Sequence, residues 1–283
     1  MCILFLYINP KPKEGEYKII LVNNRDELYN RPTKPAHFWG DGEILGGMDE
    51  QDTCKGGTWL AVTRQGKIST LLNVFQATTE FTTGRASRGF LVVDYLKSHK
   101  KGQEYLEEVK NSGKVYNAFN LLTLDPEGGS YHVNFYNNNE KTIHEIPPGV
   151  HGFGNCPLIK PFKKVQKGEV LLQNLINDYG QKECEEKLID ELFEMMQDKK
   201  PYFPDPQLSE QGKGHPEQFI KSLSSIWVCF PAGSYGSRTT TIILVDQENQ
   251  LVYRERTMQD PINPSSPQWK SSNFAFTITP SNS

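Results

Sequence analysis

The stretch LVNNRDE, residues 21–27, decides how this chain is read, because an apolar run ends there in Asn24, Arg25, Asp26 and Glu27. Two segments rich in β-branched and aromatic residues, 2–8 (CILFLYI) and 17–23, flank a Pro/Lys/Gly connection, the pattern of an antiparallel hairpin. If Ile8 faces Tyr17 or Lys18, antiparallel counting sets Cys2 opposite about Asn24. Hairpin closure is therefore expected to bring the thiol of Cys2 beside the NNRDE corner, with the polar residues at the end of the second strand.

Outward from the hairpin, a Pro-rich stretch, RPTKPAHFWGDGEILGGMD, reads as a surface connection. A second hairpin follows, with strands near 57–63 and 67–74, a Gln-Gly turn and its end at Asn73. Apolar residues at helical spacing predict helices over 86–99 and 102–110, and again from Leu158 to about Met196 with a break near 178–181. Strands are predicted at 117–125, 130–137, 142–149, 224–230, 239–246 and 250–258. Residues 198–217 are polar and Pro/Gly-rich, a surface excursion, and 259–283 form a Pro/Ser-rich tail closed by NFAFTI. Strand-rich and helix-rich blocks succeed one another without a βαβ rhythm, which predicts a single α+β domain over 1–283 with antiparallel sheets and segregated helices.

Composition narrows the function classes. With 31 Lys+Arg against 34 Asp+Glu the net charge is −3, so no global field points to nucleic acid or an acidic membrane. The cysteines, Cys2, Cys54, Cys156, Cys184 and Cys229, have no CxxC or repeated spacing, against a zinc site or a disulfide scaffold. CILFLYI has no basic leader, and no window approaches the roughly 18 apolar residues of a membrane helix. A soluble cytoplasmic protein with reduced thiols is expected.

Cysteine at position 2 suggests a particular chemistry. Removal of Met1 would leave a thiol carrying its own α-amine, nucleophile and base in one residue. Such a site needs an oxyanion donor and groups to orient the amine. Asn73 and Asn155 are candidate amide donors, Asp26 a candidate amine partner and Arg238 a candidate cation at the mouth.

MCI at the start, NNRDE near 25, GGTWLAV at 56–62, LLNV at 71–74, GFGN at 152–155 and SRTTTIILVD at 237–246 together resemble the transport and Golgi organisation protein 2 family, also called the NRDE family, over almost the whole chain. The resemblance implies a four-layer αββα sandwich like that of the N-terminal nucleophile hydrolases. It matches Cys2 to the nucleophile, Asp26 to the orienting carboxylate, Asn73 and Asn155 to the oxyanion and substrate amides, and Arg238 to the arginine of the C-terminal half. The hydrolases carry an arginine three residues before the aspartate, where this chain has Asn23. Arg25 is expected not to replace it, because adjacent strand residues point to opposite faces. That departure argues against amide hydrolysis.

For function, the resemblance implies haem trafficking: haem as cargo rather than prosthetic group, mobilised from mitochondria or storage organelles and passed to haem-receiving proteins. It also implies links to lipid or acyl-CoA handling and to Golgi organisation. Cargo that must be handed on is best held weakly, by apolar walls and cations for the propionates. Cys2, Asn24, Arg25, Asp26, Trp59, Asn155 and Arg238 are the ligand-binding candidates, and no metal site is expected. The alternatives are an N-terminal cysteine amidohydrolase or acyltransferase and a non-catalytic secretory-pathway protein.

Plainer readings compete at each position. Arg25 and Asp26 can form a structural ion pair, Trp59 can be ordinary core, and Glu27 and Asn24 are expected to satisfy backbone of the following turn. His37, His99, His132, His144, His151 and His215 show no metal spacing. The cluster Lys160, Lys163, Lys164 and Lys167 is expected on a solvated helix face.

Overall fold

The computed structural model describes residues 2–80 and 82–279. Its first sheet is built on β1 (Ile3–Ile8) and β2 (Tyr17–Leu28), the predicted hairpin. Strand β2 pairs on its other side with β12 (Tyr235–Asp246), which continues to β13 (Gln250–Met258) and β14 (Trp269–Thr277). Strand β10 (Gly149–Phe153) closes the far edge against β1, and β11 (Cys229–Phe230) adds to β12. The second sheet runs in sequence order: β3 (Thr33–Phe38), β4 (Ile44–Asp49), β5 (Leu60–Thr63), β6 (Ile68–Asn73), β7 (Phe119–Glu127), β8 (Ser130–Asn137) and β9 (Thr142–Glu145). Every strand pairing is antiparallel.

The two sheets face each other, Leu4, Leu6, Leu21 and Ile243 packing against Leu60, Leu72, Leu122 and Phe135. Helices α1 (Gly89–Lys97) and α2 (Gly102–Asn111) cover the outer face of the second sheet. Helices α3 (Lys163–Tyr179) and α4 (Glu185–Met196) cover the first, laying Val165, Leu172, Leu188 and Leu192 on Phe5, Ile20, Val22 and Ile242. The layers are thus αββα. Burial on both faces explains why β1 reads as a continuous apolar run rather than an alternating one.

Four expectations are corrected. The Pro-rich stretch after residue 31 is not a surface connection but the hairpin β3–β4. Pro35 is tolerated there because β3 is an edge strand with a register irregularity between Lys34 and His37, where no ladder needs its missing N–H. The tail holds the regular strand β14, whose solvent-facing residues hid its alternation. Residues 198–217 contain α5 (Pro206–Gln211), capped by Asp205 and anchored by buried Leu208, and run into α6 (Glu217–Ser222). Within 224–230 only Cys229–Phe230 forms a strand. Met1 and residues 280–283 of the predicted tail lie outside the described residues.

Candidate functional site

NNRDE lies inside β2 rather than at its end, since the strand runs on to Leu28. Ile3 pairs with Asn24, so Cys2 lies level with Arg25, one step from the expected Asn24. The shift arises because Ile8 pairs with Ile19; the connecting turn takes up more residues than the count assumed. Alternation then sorts the motif onto two faces.

Asn23 and Arg25 face the second sheet. Asn23 Nδ2 donates to the Ile3 carbonyl at 2.9 Å, clamping the hairpin. Arg25 lies 4.2 Å above the Trp59 ring, and its Nη1 donates to Thr33 Oγ1 at 3.2 Å. The expected exclusion of Arg25 fails on a simple point: residues 23 and 25 are two apart and share a face, so the guanidinium stands on the side where an arginine at 23 would stand. Trp59 is both buried and a wall under the guanidinium.

Asn24 and Asp26 face the helices. Asn24 Nδ2 donates to the Met196 and Ile226 carbonyls at 2.8 and 3.3 Å, and its Oδ1 accepts from Thr240 Oγ1 at 2.6 Å. Its partners are thus the end of α4 and β12, not the turn that follows β2. Glu27 Oε1 does accept from the Leu28 N–H, at 2.9 Å. Asp26 Oδ1 accepts from Ser237 Oγ at 2.5 Å. Burial pushes the Asp26 carboxyl above its usual range, against the pull of Lys164 and the Ser237 hydroxyl. Lys164 is itself fully buried on α3, its Nζ donating to the Ser225 carbonyl at 3.1 Å, which corrects its expected place on a solvated face. Lys160, Lys163 and Lys167 are exposed as expected.

At this end of the sandwich a cavity of about 360 Å³ opens between β2, β6 with the residues just before β5, and the segment 82–89 that leads into α1. Cys2, Arg25, Asp26, Trp59 and Asn73 line it. So do Arg31, Arg85, Arg88 and a second thiol, Cys54. Arg31 donates to the single oxygen Asp49 Oδ2 from both Nε, at 3.0 Å, and Nη2, at 2.7 Å. Arg85 and Arg88 instead donate to the backbone carbonyls of Tyr116 and Ala118, and neither forms an ion pair among the described residues. Burial lowers the Arg88 pKa to about 10, still well above neutral, so it stays charged. The Cys2 thiol is buried and pushed up, first by desolvation and then by the Asp26 charge, against the pull of the Asp26 backbone N–H and Arg25. At neutral pH it is a protonated thiol, not a thiolate.

Asn24, Asn155 and Arg238 stand outside the cavity lining. Asn155 is buried behind it, its Nδ2 donating to the Asn73 carbonyl at 2.5 Å. Arg238 is the extra residue of a β-bulge between the Ser237 and Thr239 pairings. Its Nη1 donates to the Leu28, Tyr29 and Arg31 carbonyls at 3.1, 3.1 and 2.8 Å, holding the turn from which Arg31 projects. Sequence reasoning missed Arg85, Arg88, Cys54 and Lys164. The run TTGRASRG, residues 82–89, was a readable signal: glycine, hydroxyls and two arginines before a helix.

An αββα sandwich with a cysteine at the mouth of its first strand and a buried aspartate on the second defines the class. The family model described as Transport and Golgi organisation 2 matches residues 1–260, and the chain belongs to that family. It is 33% identical to the mouse Transport and Golgi organization 2 homolog, over 98% of this chain and 99% of that one, with the same values for the human homolog. The Drosophila melanogaster Transport and Golgi organization protein 2 is 31% identical over 91% of this chain and 92% of its own. Among solved structures, the C2A mutant of conjugated bile acid hydrolase from Clostridium perfringens is similar at 9% identity and a TM-score of 0.48, covering 99% of this chain and 98% of that one. No helix among the described residues is long and apolar enough to cross a membrane.

Proposed function

We propose that the chain is a haem-trafficking protein that holds its cargo at the Cys2 cavity. The observation that carries this reading is the pairing of Arg85 and Arg88, cations without carboxylate partners among the described residues, with an apolar wall at Trp59 and Leu71. Arginine forks suit the propionate carboxylates. At about 360 Å³ the cavity is at the small end of ligand pockets, so it takes the acidic edge of a porphyrin and leaves the rest outside, as suits cargo that is handed on. Haem-receiving proteins are then the partners, and mitochondria or storage organelles the source; lipids or acyl-CoA share the anionic and apolar character the cavity accepts.

The test is spectral titration of the purified protein with haem. Saturable binding that weakens roughly tenfold in Arg88→Met supports the reading. No saturable binding by the wild type refutes it.

One observation favours a second reading, a cysteine amidohydrolase or acyltransferase: Cys2 and Asp26 line the same cavity. It requires removal of Met1, and turnover of an acyl-amide or thioester panel that Cys2→Ala abolishes would establish it.

A further inference from the structure

On the helix face of the second sheet a groove of about 680 Å³ runs between α2 and the strands β7 and β8, and it shares no lining residue with the Cys2 cavity. Its walls carry mostly one sign of charge. Glu104, Glu107 and Glu108 stand on α2 and Asp125 and Glu127 on β7, against a single lysine, Lys101. Alternation along β8 sends Tyr131, Val133 and Phe135 between the sheets, and His132, Asn134 and Tyr136 towards the helices. Asn134 therefore lies on the groove floor. It is 4% exposed, and its side-chain amide meets no hydrogen-bond partner among the described residues. Buried amides are ordinarily satisfied, so one left open on the floor of a groove points to a polar group of a ligand.

The walls have capacity to spare as well. Buried Asp125 accepts from Tyr95 OH and from the Gly102 N–H, both at 2.6 Å, and neither it nor Glu104 forms an ion pair among the described residues. Glu107 lies 3.4 Å from Lys110, while Glu108 and Glu127 pair with Lys100 and Lys101. Those three pairs are solvent-exposed, and pairs of that kind hold their lysines only weakly. The negative charge is spread along the groove rather than gathered at a point. Among the described residues no three His, Cys, Asp or Glu side chains converge to hold a metal ion. The carboxylates form two rows instead: Glu104 and Glu108 are about 6 Å apart along the axis of α2, and Asp125 and Glu127 about 7 Å apart along β7.

We propose that this groove binds a linear aliphatic polyamine, its ammonium groups lying between the two carboxylate rows and one of them donating to the side-chain oxygen of Asn134. An ammonium has three donors and no acceptor, which suits walls of carboxylates over an amide oxygen. An extended chain of such groups meets both rows along their length, as a compact metal ion does not. The inference is independent of the carrier function, since it stands on separate residues at a separate face.

The experiment is isothermal titration calorimetry of the full chain with spermine at physiological salt. It compares the wild type with Asn134→Leu, thermal melts confirming that the variant is folded. One saturable site that weakens roughly tenfold in Asn134→Leu is expected. No saturable binding by the wild type, or unchanged affinity in the folded variant, overturns the proposal. Should Asn134→Leu fail to fold, the double variant Glu104→Gln/Glu127→Gln, at two exposed positions, takes its place with the same two outcomes. Displacement of spermine by magnesium at matched charge would reveal a general ion atmosphere and overturn the site. An oligolysine peptide that binds through the same residues more tightly than spermine would overturn the small ligand in favour of a basic protein segment.

Discussion

Glu255 gives the sharpest quantitative test of how the two sheets are joined. It projects from β13 into the space between the sheets and is 1% exposed. Its Oε1 accepts the Ala36 N–H of β3 at 2.7 Å, a group left free by the irregularity around Pro35. Its Oε2 accepts from Thr241 Oγ1 at 3.2 Å and Tyr253 OH at 3.3 Å. Burial raises its pKa from 4.5 to about 7, against those bonds and the pull of Arg25. A carboxyl with a raised folded-state pKa adds stability that is fully present below about pH 4.5 and is lost as pH climbs through 7. At 1.36 kcal/mol per pH unit, a rise of about 2.5 corresponds to roughly 3 kcal/mol across that window. Glu255→Gln keeps an acceptor for Ala36 but cannot ionise. Urea unfolding at pH 5, 6, 7 and 8 should show the wild type losing roughly 2 to 3 kcal/mol more than the variant over that range, the remainder having been lost below pH 5. Buried Asp26 and Glu169, also raised, slope the same way in both proteins and cancel in the difference. Parallel pH profiles for the two proteins would refute the reasoning.

Other outcomes follow from single contacts. Gly168 of α3 lies so close to Phe5 that a Cβ at that position would fall 1.9 Å from the ring Cζ, so Gly168→Ala should cost about 1–3 kcal/mol and lower the melting temperature measurably. Arg238→Met strips three backbone carbonyls of their donor and should speed amide exchange at residues 28–31 while costing about 1–3 kcal/mol. In alkylation with iodoacetamide at pH 7, exposed Cys229 should react well before buried Cys2, read by peptide mass spectrometry. Asp26→Asn removes a charge that raises the Cys2 pKa, so it should speed Cys2 alkylation; slower reaction would contradict the electrostatics.

Much of the fold was legible because it is written in strong periodicities. The β1–β2 hairpin, β5–β6 with its Gln-Gly turn, and all four long helices announce themselves in residue spacing. The elements missed were edge strands: β3 carries prolines only an edge permits, and β14 alternates too weakly because most of it meets solvent. Strand β10 was hidden because it leaves its neighbours in sequence to join the other sheet. At the site, hairpin closure was enough to place Cys2 near Asp26, since that is a local count. Arg88 and Lys164 depend on how α1 and α3 dock, which no local count reports; one becomes a cavity cation and the other a buried neighbour of Asp26. Arg238 was expected at the mouth, and the bulge turns it instead to the β2–β3 turn.

The central claim is that the Cys2 cavity is where the cargo's acidic edge rests, and protection of the Cys2 thiol measures it directly. Rates of Cys2 alkylation, taken by mass spectrometry with and without saturating haem, should fall severalfold on binding while those of Cys229 stay constant. A Cys2 rate unchanged at haem saturation would contradict the account.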